Sequence, residues 1–252
     1  MSKFTSETAS QFYAEHVGKP FFPNLSEFMT SDVCVGMELI ANNAIAKWRQ
    51  FIGPTNTQKA QAEAPNSIRA RFGTDGTRNA VHGSDSPTSA RREVDFFFGA
   101  GKAMKTTAVL NNNTLCILKP HLFKTNQVGK VIEEITAAGF EISALEMFNL
   151  SRPMIEEFYD VYKGVLPEYV PLIEHMSNGP TIMLEVRQEN VVTSFREFVG
   201  PYDPEIAKYL RPNTLRAKFG QDRVKNAVHC TDLPEDGGLE CQYFFDILQV
   251  QQ

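Results

Sequence analysis

Cysteine is scarce in this 252-residue chain, and its four copies stand far apart. Cys34, Cys116, Cys230 and Cys241 form no C-x-x-C pair and no spacing that suggests a zinc site or a disulfide framework. Isolated thiols of this kind are typical of proteins that work in a reducing compartment. The sequence therefore predicts neither a structural metal nor a disulfide-stabilised secreted domain.

The chain also lacks an excess of basic residues and lacks long apolar runs. Its 25 Lys and Arg residues against 30 Asp and Glu residues give a formal net charge of −5, so no basic field can hold nucleic acid or an anionic membrane. Nowhere do about 18 apolar residues follow one another, as a membrane span requires, and residues 1–7 have no signal-peptide core. We predict a soluble cytosolic protein without nucleic-acid or membrane partners.

What the chain does contain is an internal duplication. Residues 49–93 fall without a gap on residues 196–240 when the sequence is shifted by 147 positions. The centre of each copy reads Asn-Ala-Val-His, at residues 79–82 and 226–229, with a carboxylate three residues after the histidine. Self-similarity at this scale indicates two tandem units of one architecture.

The second copy shows the pattern of elements most completely. We predict strands at 114–118, 140–150, 181–187 and near 227–229, and helices at 128–138, 153–162, 168–176 and 189–199. A long loop is expected through Leu210, a helical turn near Arg216, and a last helix that ends at residues 243–245. This order of elements predicts an α+β fold, the ferredoxin-like split βαβ sandwich.

The first copy begins late relative to the second. Nothing before Met1 corresponds to the elements at 114–118 and 128–138. We therefore predict a partial unit at 1–98 that lacks its N-terminal strand and helix, a linker at 99–113 and a complete unit at 114–252.

The start of the chain carries an expectation of its own. Met1 aligns with Met147, which lies inside a predicted strand. A unit without its first strand has unpaired backbone groups and an open core. We expect either that Met1 is an internal methionine of a longer chain or that another segment completes the first unit.

The duplicated motif resembles that of a known family. Both copies carry the pattern Asn-x-x-His-[Gly/Cys]-[Ser/Thr]-Asp, at 79–85 and 226–232. The chain also has a Lys119-Pro120 pair that ends a strand, a tyrosine on the following helix, paired arginines and a closing Phe-Phe. Together these features resemble the nucleoside diphosphate kinases. The resemblance covers nearly the whole chain. It implies ping-pong transfer of a γ-phosphoryl group between nucleoside tri- and diphosphates through a phosphohistidine.

The resemblance also implies a role for each matching residue. The predicted catalytic residues are His82, His229, Glu93, Glu240, Lys119, Tyr13 and Tyr159. The predicted nucleotide-binding residues are Phe21, Arg49, Thr55, Arg69, Asn79, Arg196, Arg216 and Asn226. The hydroxyls of Ser84 and Thr231 would support the two glutamates. Mg²⁺ would bridge the phosphates of the bound nucleotide, with few or no protein ligands.

The two copies depart from the family pattern in different ways. Phe21, which matches a base-stacking phenylalanine, is replaced in the second unit by Glu168, and Thr55 is replaced by Tyr202. The second unit should therefore bind nucleotide weakly, because stacking on an aromatic ring contributes roughly 1–3 kcal/mol per base. The first unit, for its part, has no counterpart of Lys119.

Two functions stay open at this point. A histidine between small apolar residues is more often a satisfied core group than a nucleophile. The two-unit arrangement is similar to that of family members associated with the doublet microtubules of ciliary axonemes. This resemblance implies a structural component of the cytoplasm, cytoskeleton and cilium axoneme, with weak or lost catalysis. Its partners would be tubulin and other axonemal proteins. The alternative is an active kinase whose partners are nucleoside di- and triphosphates. The losses in each unit favour the first, and the retained histidines, arginines and glutamates favour the second.

Overall fold

A computed structural model describes residues 1–100 and 104–251. The chain divides into two compact units, Met1–Thr106 and Thr107–Gln252. The predicted linker at 99–113 spans this division, and its residues 101–103 lie outside the described residues. No helix in the described ranges combines the length and the apolar character that crossing a membrane requires.

Helices account for most of the regular structure of the first unit. The strands are β1 (Ser2–Lys3) and β2 (Val33–Cys34), and the helices are α1 (Ser6–Phe12), α2 (Phe22–Ser31), α3 (Ala44–Ile52), α4 (Thr57–Glu63), α5 (Ile68–Phe72) and α6 (Pro87–Phe98), with a 3₁₀ turn at Ala14–His16. The two strands pair antiparallel, with Ser2 opposite Cys34. Side chains cap the starts of several helices, as the hydroxyl of Ser86 does for α6, which has Pro87 at its first position.

The second unit is built on a larger sheet. Its strands are β3 (Asn113–Leu118), β4 (Glu141–Phe148), β5 (Thr181–Arg187) and β6 (Val228–Cys230). Its helices are α7 (His121–Lys124), α8 (Val128–Ala137), α9 (Arg152–Phe158), α10 (Tyr169–Met176), α11 (Val191–Val199), α12 (Pro204–Leu210), α13 (Leu215–Phe219) and α14 (Gly237–Gln242). Two 3₁₀ turns lie at Asp160–Tyr162 and Leu248–Gln251, and a π-helical turn lies at Tyr243–Ile247.

Strand β3 lies inside the sheet, where it pairs with both β5 and β6. The strand order is β4-β5-β3-β6, and all pairs are antiparallel. Alternate residues of β3 face opposite layers: Cys116 and Leu118 join a core with α8 and α11, and Leu115 and Ile117 join a core with α9 and α10. This arrangement confirms the predicted α+β, ferredoxin-like fold.

Two details of the predicted elements were wrong. The segment expected to be a loop through Leu210 contains helix α12, because Asp203 caps it by accepting the N–H of Glu205 and Pro204 occupies its first turn. The last helix does not run unchanged to 245, since α14 ends at Gln242 and a π-helical turn follows. Sequence periodicity alone does not detect a short capped helix among polar residues.

A buried carboxylate fixes the entry into β3. The side chain of Glu185 on β5 is fully buried. It accepts hydrogen bonds from the backbone N–H groups of Val109 and Leu110, both at 2.7 Å, from Asn113 Nδ2 at 2.6 Å and from Ser143 Oγ at 2.6 Å. These donors satisfy the carboxylate and tie the segment before β3 to the neighbouring strands.

Candidate active sites of the two units

Each candidate histidine follows a strained turn. The N–H of Val81 donates to the carbonyl of Asn79 at 2.9 Å, which closes a three-residue turn on Ala80 with a φ of 70°. The second unit repeats this turn around Ala227, whose φ is 72°. Such γ-turns with positive φ are rare for residues other than glycine and store backbone strain. The turn also explains why β6 begins only at Val228, one residue later than predicted.

In the first unit the histidine is oriented by a carboxylate from helix α6. His82 Nε2 lies 2.8 Å from Glu93 Oε2, and Ser84 Oγ donates to the same oxygen at 2.6 Å. Burial alone would raise the pKa of Glu93, but the hydrogen bonds from His82 and Ser84 outweigh it and hold the pKa below its ordinary value. The ionised glutamate can therefore accept a proton from Nε2 and orient the imidazole so that Nδ1 lies away from the carboxylate.

The second unit builds the same arrangement with a different hydroxyl. His229 Nε2 lies 3.1 Å from Glu240 Oε2, and Thr231 Oγ1 donates to that oxygen at 2.8 Å. Helix α14 supplies the glutamate and β6 supplies the histidine. The sequence prediction that each histidine, glutamate and hydroxyl act as a group thus corresponds to a contact in both units.

The two histidines differ in how much solvent they meet. The side chain of His82 is 44% exposed, whereas that of His229 is 8% exposed. In the second unit Phe158 and Tyr159 pack edge-on against the imidazole, at centroid distances of 5.3 and 5.6 Å. Tyr13 has the equivalent position in the first unit, at 5.9 Å. The histidine side chain is therefore nearly buried in the second unit and open to solvent in the first.

The inner arginines are bound to backbone carbonyls. Arg69 donates to the carbonyls of Gly53 and Val81, both at 2.9 Å, and makes a longer bond of 3.4 Å to Thr55 Oγ1. Arg216 repeats the first two contacts in the second unit, with Gly200 at 2.9 Å and Val228 at 3.2 Å. These bonds place a buried guanidinium beside each strained turn.

The outer arginines lie closer to the surface. Arg49 donates to the carbonyl of Gly83 at 3.5 Å. Arg196 donates to the carbonyl of Thr231 at 3.3 Å and forms an ion pair with Asp232. Asp232 also accepts a hydrogen bond from the hydroxyl of Tyr162 at 2.5 Å. A contact with Asp232 neutralises the outer cation of the second unit, which sequence reasoning did not anticipate.

Lys119 is the buried cation of the second unit. Its Nζ donates to the carbonyl of Val224 at 2.9 Å. Burial, and then the neighbouring Arg216, lower the pKa of Lys119 to about 7. The lysine therefore titrates near neutral pH, and an approaching anion would favour its protonated form.

The remaining predicted polar residues lie around the turn. Asn226 Nδ2 donates to the carbonyl of Tyr202 at 3.0 Å, and Asn79 Nδ2 donates to the carbonyl of Thr55 at 3.3 Å. The buried hydroxyl of Tyr159 has no hydrogen-bond partner among the described residues. Both asparagines thus brace the loop that carries Thr55 or Tyr202, and Tyr159 keeps a donor beside the histidine.

The predicted base-stacking position differs most between the units. Phe21 is 49% exposed in the first unit and packs edge-on against His16. In the second unit Glu168 takes this position and forms an ion pair with Arg223 at 2.9 Å. The guanidinium of Arg223 lies 5.8 Å from the ring centroid of Tyr202. An ion pair beside an aromatic ring therefore replaces the exposed phenylalanine.

Sequence reasoning missed Arg223, although the duplication carried a signal for it. The shift of 147 positions places Arg223 on Gly76 and Glu168 on Phe21. An acid and a base thus appear together in the second unit at two positions where the first unit has neither. Paired changes of this kind indicate contact between the two positions.

His121, to which the sequence assigned no role, pairs with a second histidine. His121 Nδ1 lies 3.1 Å from His175 Nε2. Burial is the main reason that the pKa of each imidazole falls to about 4, and the nearby Lys119 adds to it. Both rings are neutral at pH 7, so the pair is a hydrogen bond between imidazoles.

Known proteins are similar to nearly the whole length of the chain. A sequence profile described as nucleoside diphosphate kinase matches residues 1–103 and 112–250. The chain is 50% identical over 252 residues to nucleoside diphosphate kinase homolog 7 of Rattus norvegicus, which covers 98% of this chain and 63% of that protein. It is 35% identical over 249 residues to thioredoxin domain-containing protein 6 of Xenopus laevis, covering 98% and 38%. The chain thus spans less than two thirds of the length of these relatives.

A solved structure shows a similar fold. The nucleoside diphosphate kinase of Aquifex aeolicus superposes with a TM-score of 0.52 at 36% sequence identity. The superposition covers 54% of this chain and 96% of the bacterial chain. The bacterial protein is therefore matched almost completely by about half of the present chain.

Proposed function

Because the chain belongs to the nucleoside diphosphate kinase family, we propose that it is a microtubule-associated structural component of the ciliary axoneme whose phosphotransfer is weak or lost. One observation carries the weak catalysis: the Glu168–Arg223 ion pair beside Tyr202 replaces an aromatic ring at the position of Phe21. The axonemal part rests on the resemblance of the two-unit arrangement to family members of ciliary doublets, with tubulin and other axonemal proteins as partners.

The residual chemistry follows from the retained groups. Nδ1 of His229 would attack the γ-phosphorus of a nucleoside triphosphate, the bond to the bridging oxygen would break, and the nucleoside diphosphate would leave. Glu240 holds the ring by accepting the Nε2 proton. Arg216 and the protonated form of Lys119 would offset the negative charge of the phosphates. A second diphosphate would then take the phosphoryl group from the histidine.

Members of this family generally use Mg²⁺ with the nucleotide. The described residues contain no group of three or more His, Cys, Asp or Glu side chains that could hold a metal ion. Asp232, a carboxylate close to the second site, is already paired with Arg196 and Tyr162. An ion that is held by the nucleotide phosphates would need no such group of side chains. Mg²⁺ bound in this way would supply positive charge at the phosphates.

A second function, an active kinase, is favoured by a specific observation. The contacts between histidine, glutamate and hydroxyl are complete in both units. The first unit also keeps the exposed Phe21 and the hydroxyl of Thr55 near Arg69. If either unit turns over, these groups would move a γ-phosphoryl group between nucleoside tri- and diphosphates.

Covalent labelling tests which of the two functions holds. The protein is incubated with γ-labelled ATP and Mg²⁺, and acid-labile label is counted on the wild type, on His82→Ala and on His229→Ala. We expect slow labelling that falls in each single variant and disappears in the double variant, because a phosphohistidine needs an imidazole. Binding to isolated doublet microtubules is measured on the same proteins by co-sedimentation and should not change.

Each result has a defined meaning. Fast labelling followed by transfer to a nucleoside diphosphate, without microtubule binding, would overturn the structural function in favour of the kinase. Label that persists on the double variant would show that the phosphohistidine mechanism is wrong. Microtubule binding by a protein that takes up no label would establish the structural function alone.

Nucleotide binding by the second unit should depend on pH. Because burial lowers the pKa of Lys119 to about 7, this side chain loses its charge as the pH rises from 6 to 8.5. The affinity of the second unit for ATP should therefore weaken by roughly tenfold over that range, since a hydrogen bond to a charged group contributes about 1.5–3 kcal/mol. Isothermal titration calorimetry at several pH values measures the change.

The variant Lys119→Met serves as the control for this titration. This variant should bind ATP weakly at every pH. Any change in its affinity that comes from the titration of ATP itself will appear equally in the wild type. Parallel curves for the two proteins would exclude the lysine as the titrating group.

A further inference from the structure

The geometry points to an oxidation site in the second unit: Cys116 on β3 and Cys230 on β6 form a reversible disulfide that ties the strand of His229 to the centre of the sheet. The two cysteines stand directly opposite each other in the antiparallel pairing of β3 with β6. Both are free thiols and both are buried. The site is independent of whether either histidine takes up phosphate.

The hydrogen bonds between the two strands bring this pair close together. The N–H of Lys119 donates to the carbonyl of Ala227 at 3.1 Å, so these two residues form a hydrogen-bonded pair. Hydrogen-bonded and non-hydrogen-bonded pairs alternate along an antiparallel ladder. Cys116 and Cys230, three positions further along, are therefore a non-hydrogen-bonded pair. The Cα atoms of such pairs lie about 4.5 Å apart, within the range of about 4.4–6.8 Å that disulfides span.

The two side chains also lie on the same face of the sheet. Residues that stand directly opposite each other on antiparallel strands point to one side. Cys116 and Cys230 accordingly belong to the same buried core, whereas the third buried cysteine, Cys241, belongs to the core on the other side. A bond between the two sulfur atoms therefore requires no change in the register of the strands.

Cys230 is the thiol that reacts first. Burial raises the pKa of both thiols, and it raises that of Cys116 well above the ordinary value. At Cys230 two cations, Arg216 and Arg196, oppose the effect of burial on the pKa. Arg216 Nη2 also donates to Cys230 Sγ at 3.9 Å. Because neighbouring cations stabilise a thiolate, Cys230 supplies the nucleophilic sulfur.

An oxidant reaches Cys230 when β6 opens. This strand has three residues and lies at the end of the strand order, so it forms an edge of the sheet. It also follows directly on the strained turn at Ala227. Short segments at the edge of a structure open at a lower free energy than global unfolding requires. Local opening of β6 thus exposes Cys230 while β3 stays paired with β5.

The oxidant is a peroxide, and hydrogen peroxide balances the reaction. The Cys230 thiolate attacks one peroxide oxygen, the O–O bond breaks, and the other oxygen takes up a proton and leaves as water, which gives a sulfenic acid. The Cys116 thiolate then attacks the Cys230 sulfur, the S–O bond breaks, and a second water leaves with a proton. Two thiols are oxidised to one disulfide, and one hydrogen peroxide is reduced to two waters.

The disulfide couples the redox state of the protein to the mobility of the histidine strand. His229 precedes Cys230 in β6 and stands opposite Ile117 of β3, so the bond holds the histidine against the centre of the sheet. A thiol reductant reverses the bond by exchange. The duplication places Gly83 at the position of Cys230. The first unit therefore lacks the site, and His82 serves as an internal control.

Peptide mapping after peroxide treatment tests the site. The reduced 252-residue protein is treated with rising doses of hydrogen peroxide, quenched with catalase, alkylated, and digested with trypsin and Glu-C without a reductant. Glu235 and Glu240 let Glu-C separate Cys230 from Cys241. We expect one cross-linked peptide pair, which joins Cys116 to Cys230 within a single chain and disappears after treatment with dithiothreitol.

Hydrogen exchange measures the effect of the bond on β6. Exchange in peptides that contain His229 should slow by about tenfold or more after oxidation, because the cross-link prevents the opening of the strand. Exchange in peptides that contain His82 should not change. Cys116→Ala and Cys230→Ala should each abolish the cross-link and the slower exchange, whereas Cys241→Ala, which removes another buried thiol, should keep both. Circular dichroism confirms that each variant is folded, and the wild-type map needs no variant.

The remaining outcomes overturn the proposal. Free thiols at Cys116 and Cys230, at a peroxide dose that already oxidises the partly exposed Cys34, would mean that the pair only fills the core. A cross-link from either cysteine to Cys241 or to a second chain would contradict the assigned pairing. A disulfide between Cys116 and Cys230 that leaves exchange at His229 unchanged would show that the bond does not control the strand.

Discussion

Replacing Glu185 with alanine is expected to lower the free energy of unfolding of the second unit by about 3–5 kcal/mol. The carboxylate is fully buried and accepts hydrogen bonds from two backbone amides and from Asn113 and Ser143. Alanine would leave these donors without an acceptor and would leave a cavity where the buried carboxylate had been. Urea unfolding followed by circular dichroism measures the loss.

The chain supplies a matched control at Glu38. This residue has the position of Glu185 in the duplication, but it is exposed. Glu38→Ala should therefore change stability by no more than about 0.5 kcal/mol. Hydrogen exchange should quicken around residues 107–113 only in the Glu185 variant. Equal effects of the two substitutions would contradict the account of Glu185 as the anchor of the segment before β3.

Placing the first unit's residue types at the base-stacking position of the second unit should strengthen nucleotide binding by the second unit. The double variant Glu168→Phe with Tyr202→Thr restores the residue types of Phe21 and Thr55 and frees Arg223 from its ion pair. We expect the affinity for ADP to rise by about 10- to 100-fold, because one stacked base contributes roughly 1–3 kcal/mol. Calorimetric titration resolves the site from that of the first unit.

The reciprocal exchange is the control. Phe21→Glu with Thr55→Tyr should weaken nucleotide binding by the first unit through loss of the same stacking. If the second unit gains nothing while the first unit loses affinity, then the Glu168–Arg223 pair is not what limits binding, and the proposal of weak catalysis loses its main support.

The parts of the fold that were predictable are those with a strong periodic pattern. The strand at 181–187 has the predicted bounds, because its apolar residues follow the turn signal Asn-Gly-Pro at residues 178–180. The helix at 204–210 was missed, since its apolar face is short and its signal lies in the cap at Asp203. The turn at Ala227 shifted β6 by one residue, and no sequence pattern announces a positive φ at alanine.

The candidate sites also contain contacts that the sequence predicted and contacts that it missed. The contacts of His82 with Glu93 and of His229 with Glu240 correspond to the groups named from the motif. The pairing of Asp232 with Arg196, and of Arg223 with Glu168, depends on contacts between distant segments, which spacing along the chain does not report. The motif identifies which residues meet at the turn, and the structure adds which charges are already paired.

The position of β3 has a consequence for biosynthesis. This strand is the first of its sheet to be made, yet Leu115 within it donates to the side chain of Thr231, 116 residues further along the chain. At a synthesis rate of about 5–20 residues per second, that interval lasts roughly 6–23 seconds. During translation β3 thus waits with the edge that later pairs with β6 still open, and it can pair wrongly with other chains until residues 228–230 have been made.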